Sequence, residues 1–220
     1  MKIDQRSPLL EVGRELRRIS GPAEPKSAAI RMEGQRAEIK AYQAPVDLDP
    51  SPALSLVGKA KPVLKGRKIG ALVTDGADGD RLQALRDALE REGAELAIVA
   101  PKIGGVRLKS GKHLATDMAL SGGAPSVFFD AVAIFASADG IKPLLKNSAA
   151  IDWVRDAFGH LKVIGYTPAA QPLFAKASIA DDRDEGVIEL DASASVGQYI
   201  EAARQQRVWA GEARLLECDA

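Results

Sequence analysis

From Gly66 onward, short apolar runs alternate with amphipathic stretches of helical period. Lys68–Thr74 (KIGALVT) ends in Asp75-Gly76, the pattern of a buried strand and its turn. Asp80–Glu92 follows, with Leu82, Leu85, Ala88 and Leu89 on one helical face and Gly93 where a left-handed cap belongs. Glu95–Ala100 (ELAIVA) reads as the next strand, so the three pieces make a βαβ unit with a parallel strand pair. Residues 101–125 carry Gly104, Gly105, Gly111, Gly122 and Gly123 between short apolar pieces, which suits a hairpin or an irregular excursion. Phe129–Phe135 predicts a strand, Asn147–Phe158 a helix closed by Gly159, and Leu161–Gly165 a further strand. Pro168–Ala177 reads as a helix with proline in its first turn, Gly186–Leu190 as a last short strand, and Val196–Trp209 as a closing helix.

This order predicts a flavodoxin-like α/β fold: a doubly wound, mostly parallel sheet with helices on both faces. Upstream, residues 7–19 space Leu9, Leu10, Val12, Leu16 and Ile19 as a short amphipathic helix, which Pro22 and Pro25 stop. From there to residue 54 the chain is rich in Pro, Ala and charge without a sustained period, the composition of an extended arm. Residues 1–54 are therefore expected to form a helix and Pro-rich arm, and 55–220 the flavodoxin-like domain. An arm that buries little of itself needs another surface to lie on.

Charge narrows the partners. The 220 residues hold 30 basic and 30 acidic side chains, so no global field draws nucleic acid or a membrane surface. No apolar stretch is long enough to span a bilayer, and the N-terminus lacks the apolar core of a secretory signal. With Cys218 as the single cysteine, no intrachain disulfide forms, and a cytoplasmic location is expected.

Ligands of doubly wound folds sit beyond the carboxyl ends of the strands, here Asp75–Asp78, Ala136–Ala138 and Gly165–Thr167. A nucleophile elbow needs Ser or Cys on the turn after a strand, with a histidine base. The turn after Leu161–Ile164 offers Gly165, Tyr166 and Thr167 instead. His113 falls in a Gly-rich loop and His160 at a helix end, so neither is placed as a base. Asp75, Asp78 and Asp80 repel phosphate; they suit a divalent cation, or helix capping without any ligand. No haem ligand spacing is present. Trp153 and Trp209 read as packing residues on helices, with a subunit contact as the other use, and Cys218 as an incidental thiol.

Several strings resemble the C-terminal domain of large-subunit, haem-containing catalases: Ser51–Lys59 (SPALSLVGK), Lys65–Ile69 (KGRKI), Val73–Asp78 (VTDGAD), Ile98–Gly105 (IVAPKIGG), Pro125–Val132 (PSVFFDAV), Trp153–Lys162 (WVRDAFGHLK), Asp184–Gly186 (DEG) and Gln206–Trp209 (QRVW). The likeness runs from about Ala44 to Trp209; residues 1–43 look somewhat like the helical connection that joins the catalase core to this domain. That domain is in turn similar to the class I glutamine amidotransferase-like superfamily, which includes PfpI-type proteases, chaperones and glyoxalases. Its elbow reads Cys-His-Gly, where this chain has Gly165, Tyr166 and Thr167, and its acidic partner falls at Arg81. The resemblance thus implies a non-catalytic accessory domain with no haem of its own. The chain is too short for the haem core and has no Arg followed four residues later by Tyr, so peroxide turnover by this chain alone is not expected. The implied partners are a catalase haem core or a second copy, with chaperone-like capture of unfolded proteins as a further role. Two other readings stand beside it: a hydrolase or glyoxalase using Thr167 or Asp78, and a small-molecule or anion sensor in the same crevice.

Overall fold

The computed structural model describes residues 49, 51–55, 59–191 and 193–212. The helix expected over 7–19, most of the Pro-rich arm and Cys218 lie outside them. The chain divides into two compact units, Met1–Leu54 and Ser55–Ala220. In the first, Leu54 N donates to Ser51 O at 3.1 Å in a tight turn.

The second unit is built on a six-stranded sheet ordered β5-β2-β1-β6-β7-β8. Its strands are β1 (Lys68–Val73), β2 (Glu95–Ala100), β5 (Met118–Ala119), β6 (Ala131–Phe135), β7 (Ile164–Tyr166) and β8 (Val187–Glu189). Every pairing in it is parallel. Apart from the two-residue edge strand β5, the order is that of flavodoxin-like folds. A small antiparallel hairpin, β3 (Val106–Arg107) with β4 (His113–Leu114), occupies the Gly-rich excursion.

Strand alternation divides the core in two. Ile69, Ala71 and Val73 of β1 and Ala131, Ala133 and Phe135 of β6 face helices α1 (Gly79–Arg91) and α5 (Ser193–Arg204). Leu72, Val132 and Ile134 face the opposite layer, α2 (Ile141–Leu144), α3 (Ser148–Gly159) and α4 (Gln171–Lys176). Both faces are covered, so the strands are near-continuous apolar runs. Asp78 caps α1 by accepting from the Asp80 and Arg81 amides, and Asn147 caps α3 by accepting from the Ala149 amide. Gly93 takes the left-handed conformation expected after α1, with φ +72°.

Several boundaries differ from the sequence reading. Gly159 is the last residue of α3 rather than the cap beyond it, and the left-handed residue is Leu161, φ +57°. Leu161–Val163 are consequently spent on the turn, and β7 starts at Ile164. The proline-initiated segment is a 3-10 turn, Pro168–Ala170, followed by α4. The closing helix stops at Arg204, and Trp209 sits in a separate 3-10 turn beyond Gln206, φ +71°.

The amino-terminal ends of β1, β6 and β7 share a polar network. Arg67 pairs with Asp130 at 2.8 Å, and Arg207 donates to Asp130 O. The buried Lys162 ammonium donates to Ser126 O at 2.7 Å. Around it the apolar side chains of Val63, Val127, Phe128 and Trp209 are exposed.

Candidate functional site

The chain leaves β1 and β6 in opposite directions, and a cleft of about 760 Å³ opens at that point. Thr74, Asp75, Lys102, Lys109, Ser137 and Asp139 are among its lining residues. This is where the fold places a ligand.

The hydroxyls at its floor are committed to the backbone. Thr74 Oγ1 accepts from Ser137 N at 3.2 Å. Ser137 Oγ donates to Asp75 O at 2.6 Å and accepts from Gly140 N at 2.9 Å. The segments pass so closely here that a Cβ on Gly140 would overlap Thr74 and the Asp75 carbonyl. Lys142, hydrogen bonded to Asp139, holds that carboxyl below the usual range.

Thr167, next along the strand ends, is buried. Its Oγ1 accepts from Ala136 N at 2.9 Å and lies 3.1 Å from Ala136 O and 3.3 Å from Ile134 O, to one of which its proton goes. Thr167 has an extended backbone, φ −84° and ψ 151°. The non-glycine residues with positive φ among those described are Leu161, Ser178 and Gln206. The strained turn that would thrust a nucleophile outward is therefore not formed at 165–167. Gly165 is inside β7, paired with Ala133 and Ile188 rather than on the turn. A Cβ there would meet Leu190 and the Tyr199 ring. The Tyr199 hydroxyl donates to Val132 O at 3.0 Å, which fixes that ring against the strand. Tyr166 is buried, its hydroxyl 3.1 Å from Glu189 Oε2 and 3.2 Å from Arg183 Nη1. Burial, then Glu189, pushes its phenol above the ordinary tyrosine range.

The other sequence candidates are dispersed. Arg81 reaches across to Leu190 O at 3.0 Å and so ties α1 to the end of β8. Asp75 Oδ1 accepts from Arg107 N at 2.7 Å, Asp78 is the α1 cap, and Asp80 is exposed in the first turn. No group of three His, Cys, Asp or Glu side chains that could hold a metal ion occurs among the described residues. His113 Nε2 is 2.8 Å from Gly104 O, and His160 Nδ1 is 2.6 Å from Asp156 O. Each therefore serves its own turn. Trp153 is buried against Phe129, ring centroids 6.4 Å apart, whereas Trp209 is partly exposed. The cross-braces by Thr74 and Ser137 carry no sequence signal beyond a hydroxyl at a strand end. The buried Lys162 carries none either, since a lysine at the start of an apolar run reads as solvated.

Comparison with known proteins gives this geometry its family. The C-terminal domain found in long catalases matches residues 65–211. The chain belongs to that family. This catalase C-domain is 46% identical over 166 residues to "Catalase C" of Rhizobium meliloti (strain 1021), covering 76% of this chain and 23% of the relative. It is 31% identical over 165 residues to "Catalase HPII" of Pseudomonas aeruginosa, again covering 23% of the relative. The chain thus spans about a quarter of the length of these curated relatives. Among solved structures, Drosophila melanogaster DJ-1beta superposes with TM-score 0.53 at 15% identity, over 69% of this chain and 96% of that one. That likeness establishes the flavodoxin-like fold of the catalase C-domain and nothing about its chemistry. No helix among its described residues is long and apolar enough to cross a membrane.

Proposed function

We propose that this chain is a non-catalytic accessory domain that docks on a catalase haem core and stabilises the assembly. The observation that carries the reading is the fate of the elbow: Thr167, where relatives of the fold present a reactive turn, is a buried brace between β6 and β7. A hydroxyl with both its donor and acceptor capacity spent on backbone, and no histidine beside it, has no route to nucleophilic attack.

The described residues also do not fit a haem. Axial ligation needs a free His, Tyr, Cys or Met facing a flat cavity. Here both histidines are bound to carbonyls, Tyr199 is sealed in the core, Tyr166 is held by Glu189 and Arg183, and Met118 packs against the core. No step of peroxide chemistry is assigned to this chain. The surface assigned to the core is the exposed Val63, Val127, Phe128 and Trp209 around Asp130. Left uncovered, such an apolar end favours self-association or capture of unfolded chains. A reducing, cytoplasmic setting completes the proposal, in keeping with the single cysteine.

The test is an absorption spectrum and peroxide assay on the purified chain, with and without haem and a truncated catalase core. The expected result is no Soret band and no turnover alone, with saturable binding to the core. Turnover by the chain alone, or indifference to every core and to itself, would sink the proposal. The 760 Å³ cleft favours a second reading, a small-molecule binder. A ligand seated there would raise the melting temperature with concentration by mass action, and a charge-reversed Lys102→Glu variant would lose that response.

A further inference from the structure

A groove of about 510 Å³ lies between the turn that follows β6, the 3-10 turn Pro168–Ala170 with the start of α4, and the loop ahead of β8. It shares Ala138 with the larger strand-end cleft and no other lining residue. Ile141, Pro168, Pro172 and Ala175 supply apolar wall. Arg183 and Gln171 are the polar side chains that line it; among the described residues no acidic side chain does. Its size is that of a small-ligand site.

Arg183 is half-buried, so a molecule in the groove can reach it. Its Nε donates to Ala180 O at 3.0 Å and its Nη1 to the Tyr166 hydroxyl at 3.2 Å. The guanidinium carbon lies 5.9 Å from the centre of the Phe174 ring. Two backbone-anchored neighbours and a ring face thus fix the plane of the fork, while other N–H groups of it stay unspent. Glu189 meets the Tyr166 hydroxyl at 3.1 Å, on the far side of that tyrosine's link to Arg183. Asp181, Asp182, Asp184 and Glu185 flank Arg183 along the chain, but none lines the groove, and Asp184 Oδ1 accepts from Gly186 N at 2.9 Å. Exposed charges outside the groove are screened at ordinary ionic strength.

A planar cation held in place, with donors to spare and an apolar wall beside it, complements a carboxylate that carries an aliphatic tail. We infer that this groove binds a small aliphatic monocarboxylate, its carboxylate on the Arg183 fork and its tail along Ile141, Pro168 and Pro172. The site depends neither on the accessory-domain reading nor on a ligand in the larger cleft. No covalent step is involved.

The probe is hexanoate, titrated into the whole chain at about 0.15 M salt. Hexanamide keeps the tail and lacks the charge; acetate keeps the charge and lacks the tail. The readout is the methyl resonances of Ala175 and Ala180 in a carbon-13 spectrum, with those of Val106, which lines the larger cleft, as the reference. Hexanoate should move the two alanine signals saturably in the millimolar range and leave Val106 in place. Each control should bind about tenfold more weakly, for want of the charged hydrogen bonds or of the buried tail. Arg183→Gln should abolish the preference for hexanoate over hexanamide. Ala175→Glu changes an exposed position of α4 and leaves the Arg183 bonds untouched. It should abolish hexanoate binding with helix content unchanged by circular dichroism, and it decides the matter should Arg183→Gln fail to fold. Still alanine signals, equal affinity for hexanamide, a shift at Val106 alone, or binding that survives Ala175→Glu overturns the inference.

Discussion

Thr167 is a buried hydroxyl bonded to backbone alone. Its hydroxyl accepts the Ala136 amide at 2.9 Å inside the core. Replacing it with valine keeps the shape and strands that amide, so Thr167→Val should cost about 1–3 kcal/mol in urea unfolding. A hydrolase acting through Thr167 would instead lose activity in that variant at little cost in stability. Lys162 is the second residue with a measurable signature. Burial, followed by the nearby Arg207, lowers its ammonium to about 8 from 10.5. Below that folded value the proton is held in both folded and unfolded chains. Between about pH 8 and 10.5 the unfolded chain keeps a proton that the folded chain has lost, so stability rises with pH across that window. Lys162→Met should flatten the rise in urea midpoint. Tyr199, whose phenol burial pushes above its ordinary range, lowers stability only at the alkaline end and does so equally in both proteins.

At the scale of elements, the strands and long helices were legible because their signals are local. Leu96–Ala100 is a five-residue apolar run behind Glu95, between Gly93 and Pro101, and the strand spans Glu95–Ala100 as expected. The ends of α3 and α5 were not legible, because left-handed turns at Leu161 and Gln206 use residues with no glycine-like preference. Tertiary bonds hold those turns instead: Val208 N donates to Leu161 O at 2.8 Å, joining the two. The crevice position followed from topology, but the filling of the elbow did not, because it depends on Tyr199 from α5 meeting Gly165 in β7. That contact gives a prediction. Gly165→Ala should push the Tyr199 ring off the strand and cost about 1–3 kcal/mol, read as a lower denaturant midpoint with an unchanged slope. Asp78→Ala removes only the α1 cap and should cost about 1 kcal/mol.

In the second unit both sheet faces are covered; Val63, Val127, Phe128 and Trp209 are exposed in the segments next to the amino-terminal strand ends, and Ile103 is exposed just beyond the carboxyl end of β2. A Phe128→Asp variant should therefore keep its fold by circular dichroism and lose affinity for a catalase core in a pull-down or calorimetric titration. Retained affinity would move the docking face elsewhere. The braced strand ends have one more consequence, which concerns durability. A thiolate on the turn after β7 would be carried by peroxide to sulfenic and then irreversible sulfinic and sulfonic acids. A threonine hydroxyl has no such ladder to climb. Gly165, Tyr166 and Thr167 bring no sulfur to this turn, so peroxide finds none to oxidise there.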